Sequence, residues 1–354
     1  MRKGVLAIMA LPRSLTFVVS NCYYEHRPHM NIVLTGSLGT ISRPLAQALL
    51  QRRHVVTIIS SKAERQREIE ALGAQAAIGM VKDLDFLRRT FTGADIVYVM
   101  EPPAPNRLFD KSFNPYEHIQ ELMTTYKTAV EQSGVKKVVH LSSIGAHKNH
   151  GVGLLRYHFL AESILRSLPA EVAIKFMRPV GFHGNLLANI DVLKTTSNGI
   201  VGALLALQHY GVGGLLSGKR GVMMGNYNAD VVNLLVSPND IATVIAEEME
   251  KPFEGRSVRY IASQEPTTGE VATILGEAIG KPYLKWGEIS DKMLRSSMLK
   301  QGMNPVMVEG IVEMGIAVRS GELYEDYYQH RPVLGSTKLR EYAPSFAEAY
   351  KKSL

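Results

Sequence analysis

From Met30 onward, short β-branched runs alternate with longer stretches whose apolar residues recur every three or four positions. The runs read as buried strands and the stretches as amphipathic helices. Asn31–Leu34 is the first strand and Ile41–Arg53 the first helix. Val55–Ile59 is strand two, followed by a charged helix over Ala63–Leu72. Ala76–Ile78 is strand three, with a short helix around Asp85–Phe91. Asp95–Met100 is strand four, Tyr116–Ser133 a long helix and Lys137–Leu141 strand five. Arg156–Ser167 is helical and Ala173–Met177 is strand six. Strands alternating with helices in this way imply a parallel sheet covered on both faces, so the expected class is α/β with a doubly wound sheet.

After about Asn185 the rhythm changes. Glycine-rich segments, a strand over Val231–Val236 and helices near Asp240–Glu250, Thr268–Ile279 and Ser290–Lys300 follow irregularly. Residues 30–185 are therefore read as the core. Residues 186–354 are read mainly as a smaller C-terminal lobe closing over the sheet's carboxyl edge, with possible returns to the core sheet.

Composition changes this picture little. With 354 residues, 45% hydrophobic and 21% charged, the chain can fill a core and a lobe, and disorder is unexpected. The net charge of +7 places +3 in residues 1–29, from Arg2, Lys3, Arg13 and Arg27 against Glu25, so no nucleic-acid partner is expected. Cys22 is the only cysteine, which excludes a disulfide framework and a cysteine zinc cluster. Gly199–Leu216 comes nearest to a membrane span, but Gln208-His209-Tyr210 interrupts it, and no membrane contact is expected. Arg2-Lys3 followed by Gly4–Leu11 imitates a secretory signal until Pro12-Arg13-Ser14 breaks the run. Met30 is read as the natural start, residues 1–29 as an upstream extension outside the fold, and the location as cytoplasmic; a signal or anchor is the alternative.

Candidate chemistry begins at the first strand-to-helix turn, Thr35-Gly36-Ser37-Leu38-Gly39-Thr40-Ile41-Ser42. Gly36 permits a tight turn, Gly39 lets the backbone approach a pyrophosphate, and free N–H groups at the helix start bind phosphate oxygens. A Gly-x-x-Gly alone is also an ordinary tight turn. Its position between a strand and a helix, at the head of a βα series, points to a dinucleotide-binding Rossmann domain. The third glycine of the usual pattern is replaced by Ser42. At the end of strand two, Ser60-Ser61-Lys62-Ala63-Glu64-Arg65 offers hydroxyls and cations where NAD selection uses an acid. This suits the 2′-phosphate of NADP(H), although a solvated helix start has the same composition.

Several segments in order resemble the NmrA-like group of atypical short-chain dehydrogenases/reductases. They are Thr35–Gly39, Tyr98–Pro103, His140–His147, Arg178-Pro179, Asn185 and Val236–Ala242. The resemblance runs from Met30 to the C-terminus and implies a Rossmann domain holding NADP(H), with a substrate lobe behind it. It also implies that Met100 and Pro102 lie beside the cofactor, Ser142 and Ser143 near the nicotinamide, and Pro179 and Val180 on its flanks. Asp83 would contact the adenine, although the family's Gly-Asp pair reads Gly79-Met80 here.

Ordinary members of the wider superfamily use a Tyr-x-x-x-Lys relay on the helix after strand five, the lysine lowering the tyrosine pKa. Here that helix reads Leu154-Leu155-Arg156-Tyr157-His158-Phe159-Leu160-Ala161-Glu162, and neither register restores the pair. The catalytic candidates are therefore His158, Ser143 and Tyr157, each with a structural alternative in packing or capping. Glu162 reads as structural. Phe182, His183 and Asn185 follow Arg178-Pro179 where the substrate is expected, and His147, Lys148 and His150 suggest a polar, mobile loop. No metal site is assigned. One reading is a reductase passing hydride to a quinone-like or other small organic acceptor. A non-catalytic NADP(H) sensor acting on a protein partner is the alternative, and a nucleotide-sugar epimerase lacks its tyrosine. The apolar Gly199–Leu216 segment and Trp286 suit a substrate lobe and hence an enzyme.

Overall fold

The computed structural model describes residues 29–102 and 107–354. Expectations about residues 1–28, Cys22 among them, and about Pro103 lie outside the described residues. Strands β1 (Asn31–Leu34), β2 (Val55–Ser60), β3 (Gln75–Ile78), β4 (Ile96–Val99), β5 (Lys137–Leu141) and β6 (Ala173–Pro179) are all parallel. Two short pairs follow, β7 (Gly181–Phe182) with β9 (Leu235–Val236), and β8 (Met223–Gly225) with β11 (Trp286–Glu288). β10 (Arg256–Ile261) returns from the C-terminal half to pair with β6, giving the order β10-β6-β5-β4-β1-β2-β3. The chain winds one way from β1 to β3 and the other from β4 outward, so the winding reverses between β1 and β4.

Alternation along each strand builds two cores. Ile32, Leu34, Ile96, Tyr98, Val139 and Met177 face one side. There they meet α1 (Ser42–Gln51), α2 (Gln66–Ala71) and α8 (Pro238–Glu250) through residues such as Leu45, Ile69 and Ile245. Val33, Val97, Val99, Val138, Ile174 and Phe176 face the other side. That side is covered by α3 (Leu84–Phe91), α4 (Pro115–Ser133) and α5 (Arg156–Arg166). Burial on both faces is why these strands read as continuous apolar runs.

The second lobe has its own core. Leu193, Met223, Leu275, Trp286 and Phe346 pack where α6 (Asn189–Ser197), α9 (Thr268–Ala278) and α13 (Leu339–Ser353) meet β8 and β11. A smaller cluster joins α10 (Asp291–Lys300) to α11 (Pro305–Ser320). Two expectations need correction. Of Val231–Val236 only Leu235–Val236 is strand; Val232 bridges Thr267 and the Asn233 amide donates to the Pro266 carbonyl, so this stretch pairs with a loop. Gly199–Leu216, α7, is helical through its polar interruption and broken into two helical pieces only at Gly211 (φ 69°). Its mean hydropathy of 1.4 over 18 residues makes it long and apolar enough to cross a membrane by length and composition, yet only 17% of it is buried.

One buried cation ties α5, the far side of the sheet and a C-terminal helix together. Arg178, on β6, donates from Nε and Nη2 to both Glu162 carboxylate oxygens at 2.8 Å. Its Nη1 reaches the Tyr260 hydroxyl on β10 at 3.1 Å and Asp326 of α12 (Glu325–Gln329) at 3.0 Å. Burial alone would raise the Glu162 pKa, but Arg178 outweighs it and holds the carboxyl below its usual range. Arg178→Ala strands this buried carboxylate and is expected to cost about 3–5 kcal/mol. The double change Arg178→Met/Glu162→Leu should cost clearly less than the sum of the single changes. Urea denaturation of the three variants measures the coupling, and additive losses would refute it.

Candidate active site at the carboxyl edge of the sheet

The turn after β1 is shaped by what surrounds it. Gly36 has φ 90°, and a Cβ there would lie 2.4 Å from the Met100 Sδ and 2.6 Å from the Ser42 Oγ. Only glycine fits both the backbone and the space. Gly39 has ordinary φ, but its Cβ would sit 3.1 Å from the Gly36 carbonyl oxygen. Ser42 is buried and donates to the Thr35 carbonyl at 3.2 Å, which explains why a small polar residue replaces the third glycine. Thr35 Oγ1 accepts from the Met100 amide at 3.0 Å, so the turn and the end of β4 are locked together. No side chain caps α1. Gly39 and Thr40 are exposed, Ser37 and Leu38 half-buried, and Ile41 buried. The turn thus presents backbone N–H groups and the positive end of a helix to an anionic group, and it fits a dinucleotide pyrophosphate.

Beside it, Ser37 Oγ donates to Ser60 Oγ at 2.9 Å, and the Lys62 amide donates back to Ser60 Oγ at 3.2 Å. Ser61 and Lys62 are exposed. Arg65 pairs with Glu68 at 2.7 Å, and Arg43 on α1, which was not among the residues expected here, pairs with the other oxygen of the same carboxylate. The hydrogen bond from Arg43, with Arg65 beside it, lowers the Glu68 pKa. Arg43 joins this group only when the fold sets α1 against α2. Asp83 caps α3 by accepting from the Phe86 amide at 3.0 Å, and the Phe86 ring lies against Gly79.

At the other end of the cleft, three strands and α5 converge. His140 Nε2 lies 3.0 Å from the carboxylate of Glu101, which follows β4, and His158 Nδ1 on α5 lies 3.9 Å from the same oxygen. Burial pushes Glu101 up, but His140 and its hydrogen bond win and hold the carboxyl below its usual range. Burial also pushes His158 down from 6.5 to about 4, against the pull of Glu101. His158 is therefore a neutral imidazole at neutral pH, and its Nδ1 has no hydrogen-bond partner among the described residues, the Glu101 oxygen being too distant. Tyr157 packs on the α4–α5 side, and burial raises its phenol pKa. The Glu101–His140 pair was missed; its signal was a carboxylate and an imidazole closing two otherwise apolar neighbouring strands.

Ser142 Oγ donates to Glu162 at 2.7 Å, whereas the half-buried Ser143 hydroxyl has no partner among the described residues. Ile144 N donates to the Pro179 carbonyl at 2.9 Å and Val180 N to that of Ile261 at 3.0 Å, so both loop ends are pinned. Met100 and Pro102 are half-buried, Phe182 half-buried against the main core, and Asn185 exposed. His183 turns toward Tyr342, with ring centroids 5.5 Å apart. In the loop at His147–His150, Lys148 pairs with Glu325 at 2.9 Å, and His150 is exposed. Trp286 belongs to the second core, stacked on Tyr227 at 5.3 Å.

Residues 36–175 match the family described as NAD(P)H-binding. Over 284 residues the chain is 22% identical to an NAD(P)H azoreductase of Xenophilus azovorans, covering 80% of this chain and 85% of that protein. The triphenylmethane reductase of Citrobacter sp. superposes with a TM-score of 0.64 at 17% identity, over 90% of this chain and 99% of that one. An NADPH-dependent quinone oxidoreductase of Escherichia coli, solved with NADPH, superposes with a TM-score of 0.65 at 16% identity, over 89% and 99%. The α/β architecture is that of Rossmann-like NAD(P)-binding reductases, and the chain binds NAD(P)H.

Two outcomes are expected. Replacing Lys62 and Arg65 together by Ala should lower the NADPH-over-NADH affinity ratio at least about tenfold, since charge-assisted hydrogen bonds are worth about 1.5–3 kcal/mol each. A fluorescence titration with both cofactors reads this, and an unchanged ratio would remove these residues from the 2′-phosphate. The second concerns pH. Unfolded His158 takes a proton near 6.5, whereas the folded residue resists until about 4, so stability falls as pH drops between these values. The depressed Glu101 carboxyl adds a further loss at lower pH. Denaturation curves measured across this window should be flatter for His158→Asn, and an unaltered slope would refute the assignment.

Proposed function

Starting from an NAD(P)H-binding Rossmann protein, we propose a reductase that prefers NADPH and passes hydride to a small, electron-poor organic acceptor of the quinone or azo class. The observation that carries this reading is the inner face of α5. It presents His158 and Glu162, contains no lysine, and Glu162 is fully engaged by Arg178 and Ser142. Reversible alcohol oxidation needs a tyrosine made acidic by a nearby lysine, and here the nearby phenol, Tyr157, is made less acidic. Quinones and azo compounds accept hydride without that relay, because their own electron demand drives the step. The likeness to an azoreductase over most of the chain, and the shared fold with dye and quinone reductases, support the same acceptor classes.

Within this reading, Gly36–Ile41 bind the pyrophosphate, and Ser60, Ser61, Lys62 and Arg65, joined by Arg43, bind the 2′-phosphate. Met100, Pro102, Ser142, Pro179 and Val180 flank the remainder, with Asp83 at the adenine end. The bound cofactor supplies the hydride. Ser143 donates a hydrogen bond to the acceptor heteroatom that gains negative charge. Neutral His158 orients the acceptor and, being held unprotonated, leaves proton delivery to water. Tyr157 supports His158, whose ring centroid is 4.1 Å away. Phe182 and Asn185 bound the acceptor. The supply of NADPH fits a cytoplasmic location.

The expected outcome is NADPH consumption with at least one quinone or azo dye, read by absorbance alongside a binding titration. Ser143→Ala should lower kcat/KM about tenfold or more while leaving NADPH affinity unchanged, as loss of one polarising hydrogen bond predicts. Tight binding with no turnover on any acceptor would overturn the reductase and favour a non-catalytic NADP(H) sensor.

A further inference from the structure

Helix α7 is built inside out. Its buried positions are the small residues Gly202, Ala206 and Gly214, while Ile200, Val201, Leu204, Leu207, Val212 and Leu216 are exposed. Ile200 is 80% and Leu204 62% exposed. Ile200, Leu204 and Leu207 fall at helical spacing, so the outer face is a continuous aliphatic stripe. Gly202 is required on the inner side, where a Cβ would lie 2.9 Å from the Thr196 carbonyl oxygen of α6. Ordinary surface helices turn such stripes inward, and a large exposed apolar patch marks an interaction site.

Charge identifies the partner. From Val192 to Ala229 the chain carries no acidic residue, but it carries Lys194, Lys219 and Arg220. Lys285 joins them, its Nζ 3.0 Å from the His209 carbonyl at the kink. Asp191, 4.0 Å from Lys194, is the one acid beside this rim on α6. Tyr210 lies at the kink with its hydroxyl donating to the Gly221 carbonyl at 2.6 Å, its ring edge-on to Tyr283. Aliphatic side chains within a rim of cations and tyrosines suit a bilayer boundary. A symmetric contact between two copies would bring the same cations together with few acids to pair them. A span is disfavoured, because Gly211 breaks the helix and one side is packed on α6.

We propose that α7 seats this protein on an anionic lipid surface, lying flat with its aliphatic stripe among the acyl chains and Lys194, Lys219, Arg220 and Lys285 at the headgroup phosphates. Judged by unbroken apolar length alone, Gly199–Leu216 predicts no membrane contact. The exposure of its aliphatic side chains, which only the fold supplies, is what argues for one here. The proposal is independent of acceptor and turnover.

Flotation of the full chain with phosphatidylcholine vesicles, with or without phosphatidylglycerol, tests it. Binding is expected to the phosphatidylglycerol vesicles and to weaken with salt. Each cation near such a surface is worth about 1 kcal/mol, so K219E/R220E should lose at least about 30-fold. I200S/L204S/L207S should lose more than tenfold by removing the stripe, with NADPH affinity reporting that both variants are folded. Flotation that is absent, or unchanged in both variants, overturns the proposal; the latter would move any lipid contact elsewhere in the chain. A lipid-free dimer that I200S/L204S/L207S dissociates overturns it in favour of a second copy.

Discussion

Parallel pairing is the constraint on which the rest of this molecule depends. Strands that all run one way must all end on one edge, and their connecting helices must start there. The reversal of winding between β1 and β4 leaves a crevice at that edge, with the Gly36 turn on one side and Met100 on the other. Thr35 binds the Met100 amide, and the Met100 side chain occupies the space a Cβ at Gly36 would need. The glycine turn is therefore positioned by a strand that lies far away in the chain.

The same edge gathers charge into a dry environment. Glu162 with Arg178, and Glu101 with His140, are ionisable pairs drawn from separate elements and largely withdrawn from water. Taking such groups out of water is costly unless each is answered by a partner, and the answers here are hydrogen-bonded. Their effect is organisational: Arg178 joins β6, α5, β10 and α12, while Glu101 links the end of β4 to that of β5 and approaches α5. Low polarity around them strengthens the remaining charge interactions at this edge, while burial itself keeps His158 neutral against the pull of Glu101.

Much of this was legible along the chain. The six core strands and the helices between them announce themselves because burial on both faces demands uninterrupted apolar runs, and Gly36 sits where a strand must turn sharply into a helix. What escaped depends on residues distant in sequence. Arg43 gains meaning only beside Glu68 and Arg65, and Glu101 only beside His140. Val231–Val236 has a strand's composition but lacks a neighbouring strand to pair with, so most of it is bound to a loop. Glu162 was readable as structural, but Arg178 as its partner required the pairing of β5 with β6. For α7, composition revealed an apolar segment and could not reveal which side faced inward.

That inversion also bears on how the molecule moves. A helix held by Gly202, Ala206 and Gly214 buries little side-chain area, and most of its backbone hydrogen bonds lie near solvent. Local opening is easiest where buried apolar contact is sparse. This helix is therefore expected to open locally more easily than the sheet and the two cores that cover it. Hinged on Gly199 and broken at Gly211, both with positive φ, it is a pliant rim on a stiff platform.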